Sequence, residues 1–357
     1  MSLLFTNLSY PDMFPKSHRP NPTGRPKRSD RTTMTRTKSL ATSLLSLSAA
    51  AILALSAAGS ATAAPAPAED KSAPSVTGTA VESAGAADYW TADRMLTAVP
   101  ADQRANRAVQ RSLGLDRALV AKGAPTTVEP LAAKTPVLKA ASESPVAHIG
   151  KIFFTQGGQN YVCSGNSVAA TNKSTVSTAG HCLNEGPGAF VTNFVFVPAY
   201  NNGAAPYGKW AAKALYAPAQ WTGQGNIQYD TGFAVVSPLN GRTLADTVGA
   251  SGVQFNAARG LTYKAFGYPA ASPFNGQTLK SCAGTATNDT VNPGGTTQGI
   301  PCDMTGGSSG GPWFVGSSST GKQNSVNSYG YGQNSTKMYG PYWGTVIQQT
   351  YATAAAS

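Results

Sequence analysis

The stretch Cys302-Asp303-Met304-Thr305-Gly306-Gly307-Ser308-Ser309-Gly310-Gly311-Pro312 is the most informative in this chain of 357 residues. A hydroxyl nucleophile needs an exposed Oγ, a backbone that can crowd a tetrahedral centre, and N–H groups aimed at its oxyanion. Glycines at 307, 310 and 311 permit a tight turn and close backbone approach around Ser309. The N–H groups of Gly307 and Ser309 are then the expected oxyanion hole. A Gly/Ser loop can also be plain connection, and the chain has another at 316–321, so the partners of such a serine must be sought elsewhere.

A serine hydroxyl is a poor nucleophile at neutral pH until an imidazole takes its proton. His residues stand only at 18, 148 and 181, and His181 lies in Thr178-Ala179-Gly180-His181-Cys182, where a disulfide through Cys182 would pin the segment. The imidazole in turn needs a buried carboxylate to orient it. Asp230 stands at the mouth of the apolar run Gly232-Phe233-Ala234-Val235-Val236, which should enter the core, and is the expected orienter. Asp246 and Asp289 sit among polar turn residues and are expected to face water. No H-E-x-x-H or paired C-x-x-C occurs, so no metal or other cofactor is expected and catalysis falls to side chains alone.

Around these residues the texture is uniform. Short β-prone runs at 150–155, 161–168, 190–197, 209–216, 233–236, 261–266 and 279–285 alternate with Gly, Asn and Pro, with almost no helical periodicity. That pattern reads as an all-β barrel or sandwich. Charged residues make up 12% of the chain, about half the ~25% of an ordinary soluble domain, which suits many half-buried strands. The four cysteines, 163, 182, 282 and 302, all lie in this region and can pair in three ways; pairing of neighbours would close two short loops. Their concentration implies an oxidising compartment.

The order His181, Asp230, Ser309, with TAGHC before and GGSSGGP after, resembles the chymotrypsin-fold (trypsin-like) serine endopeptidases, in particular the secreted bacterial branch related to V8-like glutamyl endopeptidases. The resemblance covers 146–357. It implies two six-stranded antiparallel β-barrels with the active site in the cleft between them, His181 and Asp230 from the first and Ser309 from the second. It also implies a Cys163–Cys182 bridge and a substrate-binding edge at Ser328-Tyr329-Gly330, to which a peptide would add as a strand. The implied activity is hydrolysis of peptide bonds through an acyl-enzyme. A catalytically silent β-barrel used for binding, and an esterase with the same triad, are the competing readings.

Two departures from the family pattern bear on specificity. Ser308 replaces the acidic residue that in animal trypsin-like enzymes binds the freed amino terminus, so that activation switch is not expected. No His follows Ser309, which removes the ground for expecting glutamate specificity. Asp303 stands six positions before Ser309, where trypsins carry the carboxylate that attracts Lys and Arg. Here Cys302 precedes Asp303 instead of following it, so the loop is anchored differently. Asp303 is therefore read as structural, beside a pocket for neutral or aromatic residues.

Upstream, Arg36 and Lys38 precede an uncharged Leu- and Ala-rich stretch, 40–58, that ends in Ala61-Thr62-Ala63. This has the form of a cleaved secretory signal, dilute in Ser compared with a membrane anchor. Residues 1–63 are read as an extended signal segment with Met34 as an alternative translation start, and the protein as secreted and extracellular, without stable membrane association. Residues 64–145 read as a propeptide or linker, with a helix-prone region from Thr91 to Lys122 interrupted at Pro100 and stopping at Gly123. Segment charges of +4 (1–33), +2 (34–63), 0 (64–145) and +5 (146–357) put more than half of the net +11 ahead of the folded body. Nucleic-acid binding, which would need a basic patch on the folded surface, is not expected. The expected partner is a protein or peptide substrate, taken by a monomer.

Overall fold

The computed structural model describes residues 75–112, 120–134, 145–292, 295–332 and 334–357. The signal segment read at 1–63, with Met34, lies outside the described residues. All of these fall in one compact unit, Pro67–Ser357.

The upstream segment contributes β1 (Val76–Ala80), α1 (Ala86–Tyr89), α2 (Ala92–Thr97), β2 (Val99–Pro100), α3 (Asp102–Ser112) and β3 (Thr126–Val128). Among its described residues the helix-prone region holds two helices with an extended break at Pro100, whose ring removes a helical N–H donor. Thr91 caps α2, its side chain accepting from the N–H of Arg94.

The first half of the body holds β4 (Ile149–Gln156), β5 (Gln159–Val168), β6 (Thr175–Thr178), β7 (Thr192–Pro198), β8 (Trp210–Pro218) and β9 (Gly232–Val236). Their order is β8-β7-β4-β5-β6-β9, and the pairing of β8 with β9 closes an antiparallel six-stranded barrel. In β4 the run Ile152-Phe153-Phe154 is apolar without alternation because both faces are covered. Ile152 and Phe154 point into the barrel core with Val176, Phe196 and Phe233. Phe153 points the other way, against Trp90, Tyr200 and Tyr268. A run buried on both faces has no solvent side to mark with polar residues.

Helix α4 (Ala219–Gln224) lies between β8 and β9; the second half contains α5 (Leu244–Val248), β10 (Val253–Phe255), β11 (Thr262–Gly267), β12 (Lys280–Thr285), β13 (Thr287–Asn288), β14 (Gln298–Pro301), β15 (Pro312–Val315), β16 (Gln323–Val326) and β17 (Lys337–Gly340). Its strands form two sheets, β12-β11-β15-β16-β10-β3 and β13-β14-β17. The Cys282–Cys302 disulfide joins them, and Tyr263, Ile300, Trp313 and Met338 pack between them. Helix α6 (Thr345–Ala355) ends the chain and lays Ile347, Tyr351 and Ala354 on the first core beside Phe233 and Phe255. The architecture is the two-barrel chymotrypsin fold read from the sequence.

The upstream segment is integrated into both halves. β1 extends the first sheet along β8, β2 lies beside β5, and β3 extends the second sheet along β10. Trp90 is fully buried, its indole N–H bonded to the carbonyl of Asn193 at 2.6 Å and its ring 5.3 Å from Phe153. Burying a large apolar side chain contributes about 1.5–3 kcal/mol, so this is an anchor and not a passing contact.

Candidate active site

After β6 the chain enters a 3₁₀ turn, Gly180–Cys182, that buries His181 completely. Asp230 sits between a second such turn, Ile227–Tyr229, and β9. A Cβ at Gly180 would lie 2.9 Å from the Trp221 ring and 3.0 Å from the Asp230 carboxylate, so glycine lets both side chains lie close against the turn. The Asp230 carboxylate receives three donors: Nδ1–H of His181 at 2.8 Å, the backbone N–H of His181 at 2.8 Å, and the Ser328 hydroxyl at 2.5 Å. A fully buried carboxylate is tolerable only with such partners. Holding the ring proton on Nδ1 leaves the Nε2 lone pair available. Nε2 is buried and has no hydrogen-bond partner among the described residues.

The Ser309 loop is gripped from several sides. Ser164 on β5 donates its N–H to the Ser309 carbonyl at 2.7 Å and its hydroxyl to the Gly307 carbonyl at 2.9 Å. The Asn327 amide donates to the carbonyls of Ser308 and Phe266, and its oxygen accepts from the Trp313 indole at 2.7 Å. Gly310 takes φ +81°, in the left-handed region, and a Cβ on Gly311 would be driven into the carbonyl of Phe266. Within the loop the N–H groups of Ser308, Gly310 and Gly311 are all bonded, to Thr305, Asn327 and Ser308. Those of Gly307 and Ser309 have no acceptor among the described residues.

Ser309, 4% exposed, faces a cavity of about 300 Å³. Its walls include Asp303–Gly306, Ser328–Gly330 and, from α3, Asp102, Ala105 and Asn106. Asp303 is exposed on the wall and not buried at a floor. Tyr329 pairs with Tyr339 through both backbone groups, and the N–H of Ser328 also bonds to Tyr339. The carbonyl of Ser328 and both backbone groups of Gly330 have no partner among the described residues.

Asp289 departs from expectation: it is buried, not in water. Its carboxylate accepts the phenols of Tyr329 at 2.6 Å and Tyr331 at 2.7 Å, and the N–H groups of Val291 and Asn292. Burial, reinforced by the Asp289 charge, pushes the Tyr329 phenol well above its ordinary pKa, keeping it a donor. This carboxylate braces the 328–331 wall.

The disulfides are Cys163–Cys182 and Cys282–Cys302, the pairing of neighbours. Cys163, His181 and Cys182 lie close enough for a metal cluster, but the two sulfurs are bonded to each other and offer no thiolate, while Nδ1 is committed to Asp230. The sequence reading overlooked Ser164 and Asn327. Ser164 occurs in Cys163-Ser164-Gly165, and only its contact across to 307–309 gives it meaning.

No protein-family model matches the chain, and no curated protein does. Solved structures do. The protease Anisep from Arthrobacter nicotinovorans is 80% identical, the match covering 60% of this chain and 97% of that one with a TM-score of 0.59. The thermostable serine protease AL20, from an extremophilic microorganism, is 52% identical, covering 59% of this chain and 98% of that one with a TM-score of 0.58. Such identity over nearly the whole length of two proteases, joined to the fold above, means that the chain belongs to the chymotrypsin-fold serine proteases.

Proposed function

We propose that the chain is the precursor of a secreted endopeptidase in which Ser309 attacks the peptide carbonyl, His181 is the base, and Asp230 orients it. The observation that carries this reading is the buried His181–Asp230 pair, whose Nε2 has no partner among the described residues, on a turn whose Cys182 Sγ lies 3.8 Å from the carbonyl of Ser309 in a loop with two unbonded N–H groups. Nε2 takes the Ser309 proton as the C–O bond forms; the N–H groups of Gly307 and Ser309 receive the oxyanion. The imidazolium, stabilised by Asp230, then protonates the departing amine. Water attacks the acyl-enzyme by the same route in reverse, with the proton passing again through Nε2. The substrate is a protein or peptide whose backbone adds to the Ser328 carbonyl and to Gly330 as a strand. Side chains supply nucleophile and base and the backbone supplies the oxyanion donors, so the mechanism calls for no cofactor, and one copy of the chain contains the whole site.

Residues 1–63 act as the signal, 64–145 as a propeptide and 146–357 as the protease domain. The propeptide assignment is supported by α3, whose Asp102, Ala105 and Asn106 fill one side of the cavity a substrate would enter. Two disulfides fit an extracellular site, and no described helix is long and apolar enough to cross a membrane. Reaction with an organofluorophosphonate followed by peptide mapping tests the mechanism. An adduct on Ser309 that is lost in His181→Ala is expected; an adduct elsewhere, or none on a protein that cleaves peptides, overturns it.

A further inference from the structure

The first turn of α3 straddles the catalytic centre. Asp102 lies against Gly306 on the cavity side, where a Cβ on that glycine would strike its carboxylate. Arg104 turns the opposite way and is 3% exposed. Its guanidinium donates to the carbonyl of His181 at 3.1 Å and to Oε1 of Gln156, with the Glu185 carboxylate at 4.0 Å. It lies 5.6 Å from the centre of the Phe154 ring and 5.5 Å from that of Tyr161. All five of these residues belong to the body, on β4, β5 and the turn after β6. They supply what a guanidinium needs: oxygen acceptors in a fork, a carboxylate, and two aromatic surfaces. Burial lowers the Arg104 pKa to about 10, with Glu185 the main opposing influence, so the group stays charged at neutral pH.

The position of this pocket follows from the chemistry proposed above, on which the inference rests. The acyl half of a substrate pairs with Ser328–Gly330. The amine half departs after protonation by His181, so it must lie beyond the imidazole, on the side where the His181 carbonyl, Gln156 and Glu185 face outward. We propose that this pocket is a guanidinium-binding subsite for the leaving-group side of the substrate, held in the precursor by Arg104 and after release of the segment by an arginine of the substrate.

The test uses enzyme produced from the full chain, and from the full chain carrying Glu185→Gln or Gln156→Ala. Fluorogenic peptides differ only in having Arg, Lys, Ala or Glu at each of the first three positions after the scissile bond. At one of these positions kcat/KM for Arg should exceed that for Ala by about tenfold, with Lys intermediate and Glu below Ala. The Arg-to-Ala ratio should fall to within about twofold of unity in Glu185→Gln, a ratio that general loss of folded enzyme does not move. Equal cleavage of Arg and Ala peptides at all three positions, or a preference untouched by both substitutions, overturns the subsite. A second measurement needs no turnover. In full chain carrying Ser309→Ala, hydrogen exchange of amides 102–112 should quicken by about tenfold or more on Arg104→Ala and also on Glu185→Gln, and unchanged exchange in both refutes the pocket. Failure of all cleavage would count against the catalytic mechanism, and the exchange result would still decide the pocket.

Discussion

Replacing Asp230 by Asn should lower kcat by about 10⁴, or ~5.5 kcal/mol of barrier, while leaving the fold in place. The size of the effect follows from where the three donors sit. One carboxylate oxygen accepts the His181 amide N–H; the other accepts both Nδ1–H and the Ser328 hydroxyl. An Asn in the same place has one oxygen and one NH₂. With its oxygen toward the amide, the NH₂ faces Nδ1 and forces the ring proton to Nε2, which can then no longer accept from Ser309. With the amide flipped, NH₂ confronts the backbone N–H, a donor against a donor in a fully buried site. The first arrangement is the less costly, so the folded variant carries the wrong tautomer. The assay is steady-state hydrolysis of a chromogenic peptide, with active-site concentration from burst titration and the thermal midpoint measured alongside. A kcat within tenfold of the parent on a folded variant would show that another group orients the imidazole.

Three further outcomes are expected. A positional-scanning library should show preference for neutral or aromatic residues before the scissile bond, little changed by Asp303→Ser, because that carboxylate is exposed on the cavity wall; a strong Lys/Arg preference abolished by the substitution would contradict this. Amino-terminal sequencing of the extracellular protein should find a start between Ala133 and Gly150, and a fully active protein beginning at Ala64 would exclude the propeptide. Burial holds Lys151 at a pKa of about 8, below its ordinary 10.5. Between those values the unfolded chain keeps a proton that the folded chain has shed, so stability relative to Lys151→Met should shift in favour of the parent as pH rises from about 8 to 10.5, by up to ~3 kcal/mol. A pH-independent difference between their chemical-denaturation free energies would refute the assignment.

What the sequence made legible was local. The strands around Phe153, Phe196, Phe233 and Phe266 fall where β-prone runs lie between turn residues. The Ser309 loop announces itself because its glycines answer backbone demands within a few positions. What escaped depends on distant partners. Asp289 looked solvent-facing because its neighbours are polar, and its phenol partners arrive only at 329 and 331. The 345–355 helix carries Thr at 345, 350 and 353 and has no strong amphipathic signature; it is fixed by tertiary packing of Ile347 and Tyr351 on the first core. Arg104 is one of several arginines in an apparently ordinary helix, and only the turn holding Glu185, some eighty residues on, distinguishes it.

Ser164 belongs to the first barrel by sequence, yet it holds the second by three bonds: its N–H to Ser309, its hydroxyl to Gly307, and the N–H of Tyr268 to that hydroxyl at 2.8 Å. These attachments fix the Ser309 loop directly to β5, and β5 pairs with β6, the strand that leads into the His181 turn. The placing of Ser309 relative to His181 is therefore referenced to one side chain and two neighbouring strands, so a change at Ser164 would reach the site without touching either residue.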